Sequence, residues 1–306
     1  MAKRRLSRRM NMKIASLIPS GTDIAVDLGL AASLVGISHC CDNPKTAHLP
    51  VLTRSIVDST LSPSQIDADV VGAVESGASL YQTDRELLRK LAPDLVLTQT
   101  ICDVCAVNSQ TARRDLPPNA KLLNLSAISI DGLWEDLRNV AAATNSDAQS
   151  LIHSLQNRLE VVKTAVASRE KPRVLVLEWS DPPFLGGHWV PEMVKIAGGA
   201  HVLSGAGEPS RRASWDEIRA AKPEIVILAP CGYDLSETIA QSRGIEAELR
   251  SLGAREIWAT NATALFSRCT PATIRGVEVL AAILHGVGEV GVSEATCMDS
   301  RLDVSG

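Results

Sequence analysis

The sequence predicts an α/β protein: two parallel-sheet, Rossmann-like lobes bridged by one long α-helix. Three observations carry that expectation. Short runs rich in Val, Ile and Leu alternate with helical patterns along the whole chain. Several of these runs are apolar at consecutive positions, as in strands covered on both faces. Between two groups of them lies one long amphipathic stretch, "SDAQSLIHSLQNRLEVVKTAVASREKP" (146–172).

In chain order, residues 1–12 read as a flexible basic leader, and the first lobe runs from 13 to 145. Its strands are "KIASLIP" (13–19), "LVGIS" (34–38), "VLTR" (51–54), "LVLTQ" (95–99) and "KLLNLS" (121–126). "SGTD" (20–23) after the first strand reads as a helix N-cap, with Gly21 allowing close backbone approach. The bridging helix occupies 146–171, with Ser146 as N-cap, Pro172 just beyond its end, and Leu151, Leu155, Leu159, Val162 and Val166 on one stripe. The second lobe, 172–288, contributes "VLVLEW" (174–179), "EIVILAP" (224–230) and "EIWATNA" (256–262). Residues 289–306 lack periodicity and read as a loose tail. A faint internal echo links 83–100 with 214–231: capping boxes Thr83…Glu86 and Ser214…Glu217, a short helix, Pro, an acidic residue and a buried strand.

The bulk numbers exclude several classes. Across 306 residues the formal charge is −4, which argues against a nucleic-acid surface. No apolar run approaches the roughly 20 residues that cross a bilayer. The apolar stretch after the basic start, "IASLI", is too short for a secretory h-region, so the sequence by itself reads as cytoplasmic. Seven cysteines in a reducing compartment would be mostly thiols.

In open α/β sheets, ligands bind beyond the carboxyl ends of the strands. Cys40 and Cys41 follow one strand, Cys102 and Cys105 another, Cys231 and Cys269 two more. Only 3% of residues are aromatic, yet Trp179, Phe184 and Trp189 share the loop "EWSDPPFLGGHWVPE", and Tyr233 and Phe266 follow later strands. His39 and His188 sit at similar places, and Glu178 ends a buried strand, where it caps backbone amides or faces a ligand. Rings, thiols and imidazoles at strand ends describe a lined cleft. The C-x2-C pair Cys102/Cys105 keeps several readings open: a metal site with His39 and Cys41, a redox pair, ligand-facing thiols, or inert packing. Arg211 and Arg212 read as a solvated pair. No G-x-S-x-G elbow, Walker loop or G-x-G-x-x-G follows a strand, so no enzyme is expected.

With those residues in view, the chain resembles the class III substrate-binding proteins of ABC importers, in the branch of cobalamin- and iron-complex-binding proteins. The resemblance spans residues 13–286 and rests on "SLIPSGTDIAVDLGLAASLVGIS", "CDNP", "LAPDLVLTQ", "LEWSDPPFLGGHWVPEMVKIAGGAHVL", "PSRRASWDEI" and "LAPCGYDL". It implies two α/β lobes on one stiff helix and non-catalytic binding of a bulky small molecule between them, a corrinoid or iron-siderophore-type chelate. That molecule would be a ligand; no obligatory cofactor is expected. His39, Cys41, Cys102, Cys105, Glu178, Trp179, Phe184, His188, Trp189, Tyr233 and Phe266 are the ligand-binding candidates. The resemblance further implies an ABC permease as partner, docked through one glutamate per lobe, here Glu86 and Glu217, and a monomeric protein. Relatives are usually periplasmic or lipid-anchored. Two other functions remain open: an intracellular zinc-type thiol/His protein using His39, Cys41, Cys102 and Cys105, and a cysteine-using enzyme on the same scaffold.

Overall fold

The computed structural model describes residues 12–101, 107 and 109–298. Cys102 and Cys105 therefore lie outside the described residues, as do nearly all of the basic leader and the end of the tail. The chain divides into two units. One holds the residues up to Ala127 with Asp131–His153, the other Ile128–Ile130 and the chain from Ser154 onward.

The first unit begins with β1 (Ile14–Ser16), buried throughout, followed by β2 (Leu34–Gly36), β3 (Thr53–Ser55), β4 (Tyr81–Thr83), β5 (Leu95–Gln99) and β6 (Lys121–Leu125). Four strands form a parallel sheet in the order β2-β1-β5-β6. All five residues of β5 are buried, which explains why Leu95, Val96 and Leu97 are apolar at consecutive positions without alternation. β3, expected as one more parallel strand, instead pairs antiparallel with β4 in a separate ribbon. Ala15, Leu17, Leu52, Leu88, Val96, Val107 and Ala112 form one buried cluster.

The helix after β1 spans Pro19–Asp27, so Ser20 is not its cap. Proline at the first helical position lacks an N–H that the helix would leave unbonded anyway, and no side chain caps this end. Gly21 lies inside the helix, where an added Cβ would sit 2.7 Å from Ser16 Oγ and 3.0 Å from Leu97 Cβ. Its lack of a side chain lets the helix lie directly on β1 and β5.

Other caps shift by a residue or two. Thr83 is still paired to Thr53 in the ribbon, so Asp84 caps the helix Arg85–Leu91 by accepting the Leu87 N–H at 2.9 Å. Ser214 does cap Trp215–Ala221 through the Glu217 N–H at 3.1 Å, but the Glu217 carboxylate turns to Arg211. These two helices do repeat each other: each ends on a left-handed residue, Ala92 at φ 46° and Lys222 at φ 45°, before a proline and a strand. The long helix spans Gln149–Val166. Asp147 Oδ1 takes the Gln149 N–H at 3.0 Å, whereas the Ser146 hydroxyl pairs with Thr144 at 2.9 Å. Ile152, Leu155, Leu159, Val162 and Val166 are its buried residues.

In the second unit, β7 (Arg173–Ser180), β8 (Pro183–Leu185), β9 (Ala200–His201), β10 (Arg211–Arg212), β11 (Ile225–Leu228), β12 (Glu256–Thr260) and β13 (Ala295–Cys297) form one sheet. Its order is β10-β8-β7-β11-β12-β13, with β9 beside the start of β7. β7, β11 and β12 are parallel, as expected, but the pairs β7–β8, β8–β10 and β12–β13 are antiparallel, so this sheet is mixed. The tail expectation is corrected here. Residues 295–297 pair with β12, and Arg275 grips the approach to them, with Nη2 and Nε 2.7 and 2.8 Å from the Glu294 carboxylate.

His201 gives this unit a pH response. Its Nδ1 lies 3.2 Å from Ser204 Oγ, its Nε2 has no partner among the described residues, and burial lowers its pKa from 6.5 to about 4. Between those values the unfolded chain binds a proton that the folded chain does not. This contribution is fully present above about pH 6.5 and is lost as pH falls through the window. Going from pH 7 to pH 5 should cost about 2 kcal/mol. Urea unfolding at both pH values should show a smaller loss for His201→Gln than for the unaltered protein; equal losses would refute the assignment.

Candidate functional site

In the first unit, β2 runs through Ser38 into His39, Cys40 and Cys41. The Thr53 hydroxyl donates to Ser38 Oγ at 3.1 Å, so its lone pairs face the His39 backbone N–H at 3.1 Å and Nδ1 at 2.7 Å. With its one proton committed, Thr53 can only accept from Nδ1. Burial lowers the His39 pKa, which favours the neutral ring. In its neutral form His39 thus carries its proton on Nδ1 and a lone pair on Nε2. Its ring is tilted against Tyr81, 5.8 Å between centroids, and a shallow hollow lies among Leu17, Pro19, His39, Thr53, Tyr81 and Val107.

Cys41 is half-buried with Sγ 3.1 Å from Thr22 Oγ1, while Cys40 is exposed. Among the described residues, no group of three His, Cys, Asp or Glu side chains is placed to hold a metal ion. His39 and Cys41 therefore bring no third ligand from the described chain, and Cys102 and Cys105 lie outside it.

In the second unit the site grows from the hairpin β7–β8 and the loop after it. Trp179 pairs across the hairpin with Phe184, and the Arg212 guanidinium lies 5.5 Å from the Phe184 centroid. Arg212 is thus a ring-stacked cation in β10. Trp179 meets Tyr233 edge-on at 5.5 Å, where burial first and Glu237 second raise the phenol pKa, against the Gln241 amide. These half-buried rings form a contiguous aromatic edge.

Glu178 resolves in favour of capping. Its carboxylate accepts the Ser210 hydroxyl at 2.5 Å and the Gly187 N–H at 3.4 Å. Beside it, His188 takes a left-handed φ of 51° and is zipped to the opposite loop, donating its N–H to Glu208 O at 2.6 Å and accepting Gly207 N–H at 2.8 Å. The His188 ring lies 5.8 Å from that of Trp189, and burial lowers its pKa. Trp189 donates Nε1–H to Phe266 O at 2.9 Å. The Phe266 ring is only 2% exposed, so it packs in the interior instead of offering flat surface, as was expected of it.

Glu86 is exposed in the first turn of its helix. Glu217 is held by Arg211 at 2.6 Å, which lowers its pKa. Thr53, Tyr81 and Arg212 were not identified as site residues from sequence. Tyr81 was the readable one, being one of only two tyrosines in the chain.

The family model described as "Periplasmic binding protein" matches residues 14–262. A vitamin B12-binding protein of Vibrio cholerae is 25% identical over 281 residues, covering 87% of this chain and 86% of that one. The crystal structure of the periplasmic vitamin B12-binding protein BtuF of Vibrio cholerae superposes with TM-score 0.64 at 22% identity, over 90% of this chain and 97% of that one. A periplasmic heme-binding protein from Pseudomonas aeruginosa gives TM-score 0.72 at 15% identity, over 94% and 97%. These matches overturn the cytoplasmic reading, which rested on the short apolar stretch after the leader; the family is one of periplasmic proteins. They also disfavour the intracellular zinc-type alternative. With its family model matched from residue 14 to 262, the chain belongs to the periplasmic binding proteins, the class III substrate-binding proteins of ABC importers.

Proposed function

We propose that the protein binds a large macrocyclic ligand of the corrinoid kind without chemically altering it, for delivery to an ABC permease. The observation that carries this reading is the aromatic edge of the second unit, where Trp179 and Tyr233 meet at 5.5 Å beside Phe184. Half-buried rings offer wide apolar surface at small entropic cost. His188 and Trp189 extend the proposed set in this unit, whereas Glu178 is spent on its loop. In the first unit His39 is the proposed contact: a neutral imidazole with an unprotonated Nε2 suits the axial position of a chelated metal. The relatives named for vitamin B12 and heme support this class of ligand.

Glu86 and Glu217 are the proposed permease contacts. The Arg211–Glu217 pair is largely exposed, so exchanging its partner costs no more than about 1 kcal/mol. The protein acts as a monomer in this reading, and its net charge of −4 gives no attraction to nucleic acid.

Mixing the protein with hydroxocobalamin should shift the visible bands of the corrinoid and release or absorb heat in calorimetry. No spectral shift and no heat with hydroxocobalamin would overturn the reading.

A further inference from the structure

Past the end of β2, backbone bonds tie the chain to the segment that leads into β3: Ile37 N–H donates to Pro50 O at 2.9 Å and Leu52 N–H to Ile37 O at 2.7 Å. That register sets Thr53 across from Ser38 and His39, with Ser38 only 3% and Thr53 only 5% exposed. A hydroxyl has one proton to donate and two lone pairs. Thr53 uses all three: its proton goes to Ser38 Oγ, and its lone pairs take the His39 backbone N–H and Nδ1–H. Ser38 Oγ also takes the Cys40 N–H at 3.4 Å, so both of its lone pairs face donors. Two bonds from one residue to one oxygen fix where the His39 ring points as well as which nitrogen holds the proton. The nitrogen left over is Nε2, on the half-buried ring that lines the hollow with Pro19, Tyr81 and Val107.

We propose that the buried Ser38–Thr53 pair is a positioning device that makes His39 a metal ligand, so that the site selects chelates whose metal has an exchangeable axial position. Without an acceptor at Nδ1 the ring proton is free to sit on Nε2 and block its lone pair. With Thr53 in place, Nε2 displaces the water of the aquo form of hydroxocobalamin. The cobalt–oxygen bond breaks, water leaves, and the Nε2 lone pair forms the cobalt–nitrogen bond; no proton or electron changes hands. Nδ1–H goes on donating to Thr53, as the outer nitrogen of a ligating histidine does. Cyanocobalamin holds its cyanide firmly and gains nothing from His39. This selection rests on the corrinoid reading and narrows it, favouring hydroxocobalamin over cyanocobalamin.

The tautomer is tested without any ligand, by the ring 15N resonances of His39 in labelled protein at a pH where imidazole is neutral, assigned by their loss in His39→Gln. Nδ1 should carry the proton in the unaltered protein and in Thr53→Ser. Ser38→Ala leaves the Thr53 proton only Nδ1 as a partner, so the ring proton should move to Nε2. Thr53→Val should have the same effect by removing the acceptor. In calorimetry the unaltered protein should prefer hydroxocobalamin to cyanocobalamin about tenfold, the lower end of what an outer partner is worth to a ligating histidine. Ser38→Ala and Thr53→Val should lose that preference, and Thr53→Ser should keep it. Melting curves check folding, and should Thr53→Val not fold, Ser38→Ala and Thr53→Ser decide. A proton on Nε2 in the unaltered protein would overturn the proposal. So would equal losses for the two corrinoids, the mark of a structural role alone. If the unaltered protein ignores both corrinoids while Ser38→Ala still moves the proton, the corrinoid reading falls and the tautomer lock stands.

Discussion

Gly187→Val is expected to destabilise the second unit by about 3 kcal/mol, at the upper end of what overpacking costs. A Cβ at this position would lie 2.3 Å from Ser210 N, 2.6 Å from Pro209 C and 2.8 Å from Glu208 O. All three atoms are backbone, so no rotamer change relieves the clash; the two loops must part. Parting them breaks the reciprocal bonds between His188 and the Gly207–Glu208 segment. It also strips the Glu178 carboxylate, which bonds Gly187 on one loop and Ser210 on the other. The unfolding midpoint in urea, followed by tryptophan fluorescence, should fall for Gly187→Val and less for Gly187→Ala. Unchanged midpoints would show that the loops separate freely.

Trp179→Ala is expected to lower affinity for hydroxocobalamin by roughly tenfold to a hundredfold, about 1.4–2.8 kcal/mol, as for truncation of a central aromatic anchor. The change removes the ring itself and the edge contact that orients Tyr233. Calorimetry should show the loss while the unfolding midpoint changes little, because Trp179 is half-buried at the end of its strand. Equal affinity in the two proteins would place the ligand elsewhere.

The fold was legible where burial is symmetric. β5 and β11 are buried at every position, and their consecutive apolar residues, Leu95 to Leu97 and Ile225 to Leu228, announced parallel strands. Short antiparallel strands left no such trace: β8 and β10 span three and two residues, too few to show alternation, and β13 was hidden in a segment without periodicity. Helix starts were misjudged by a residue or two, because the capping residue depends on where the preceding strand lets go, as Thr83 shows in its pair with Thr53. At the candidate site, Trp179, Phe184 and Tyr233 were singled out because rare rings stood after strands, and the structure leaves all three half-buried. Phe266 stood in the same kind of place and points inward, since position after a strand does not determine which way a ring turns.

The two outer strands of the second sheet have a bearing on solubility. A sheet's rim is an open ladder on which a neighbouring chain can add itself, and long flat rims invite fibrils. Here the rims are β10, two arginines long, and β13, three residues long. The first repels a copy of itself by charge; the second is shorter than the five-residue β12 that it covers. The Arg275–Glu294 clamp thus keeps a closing hem in place, and a molecule trimmed before Ala295 would expose β12 as a template for aggregation.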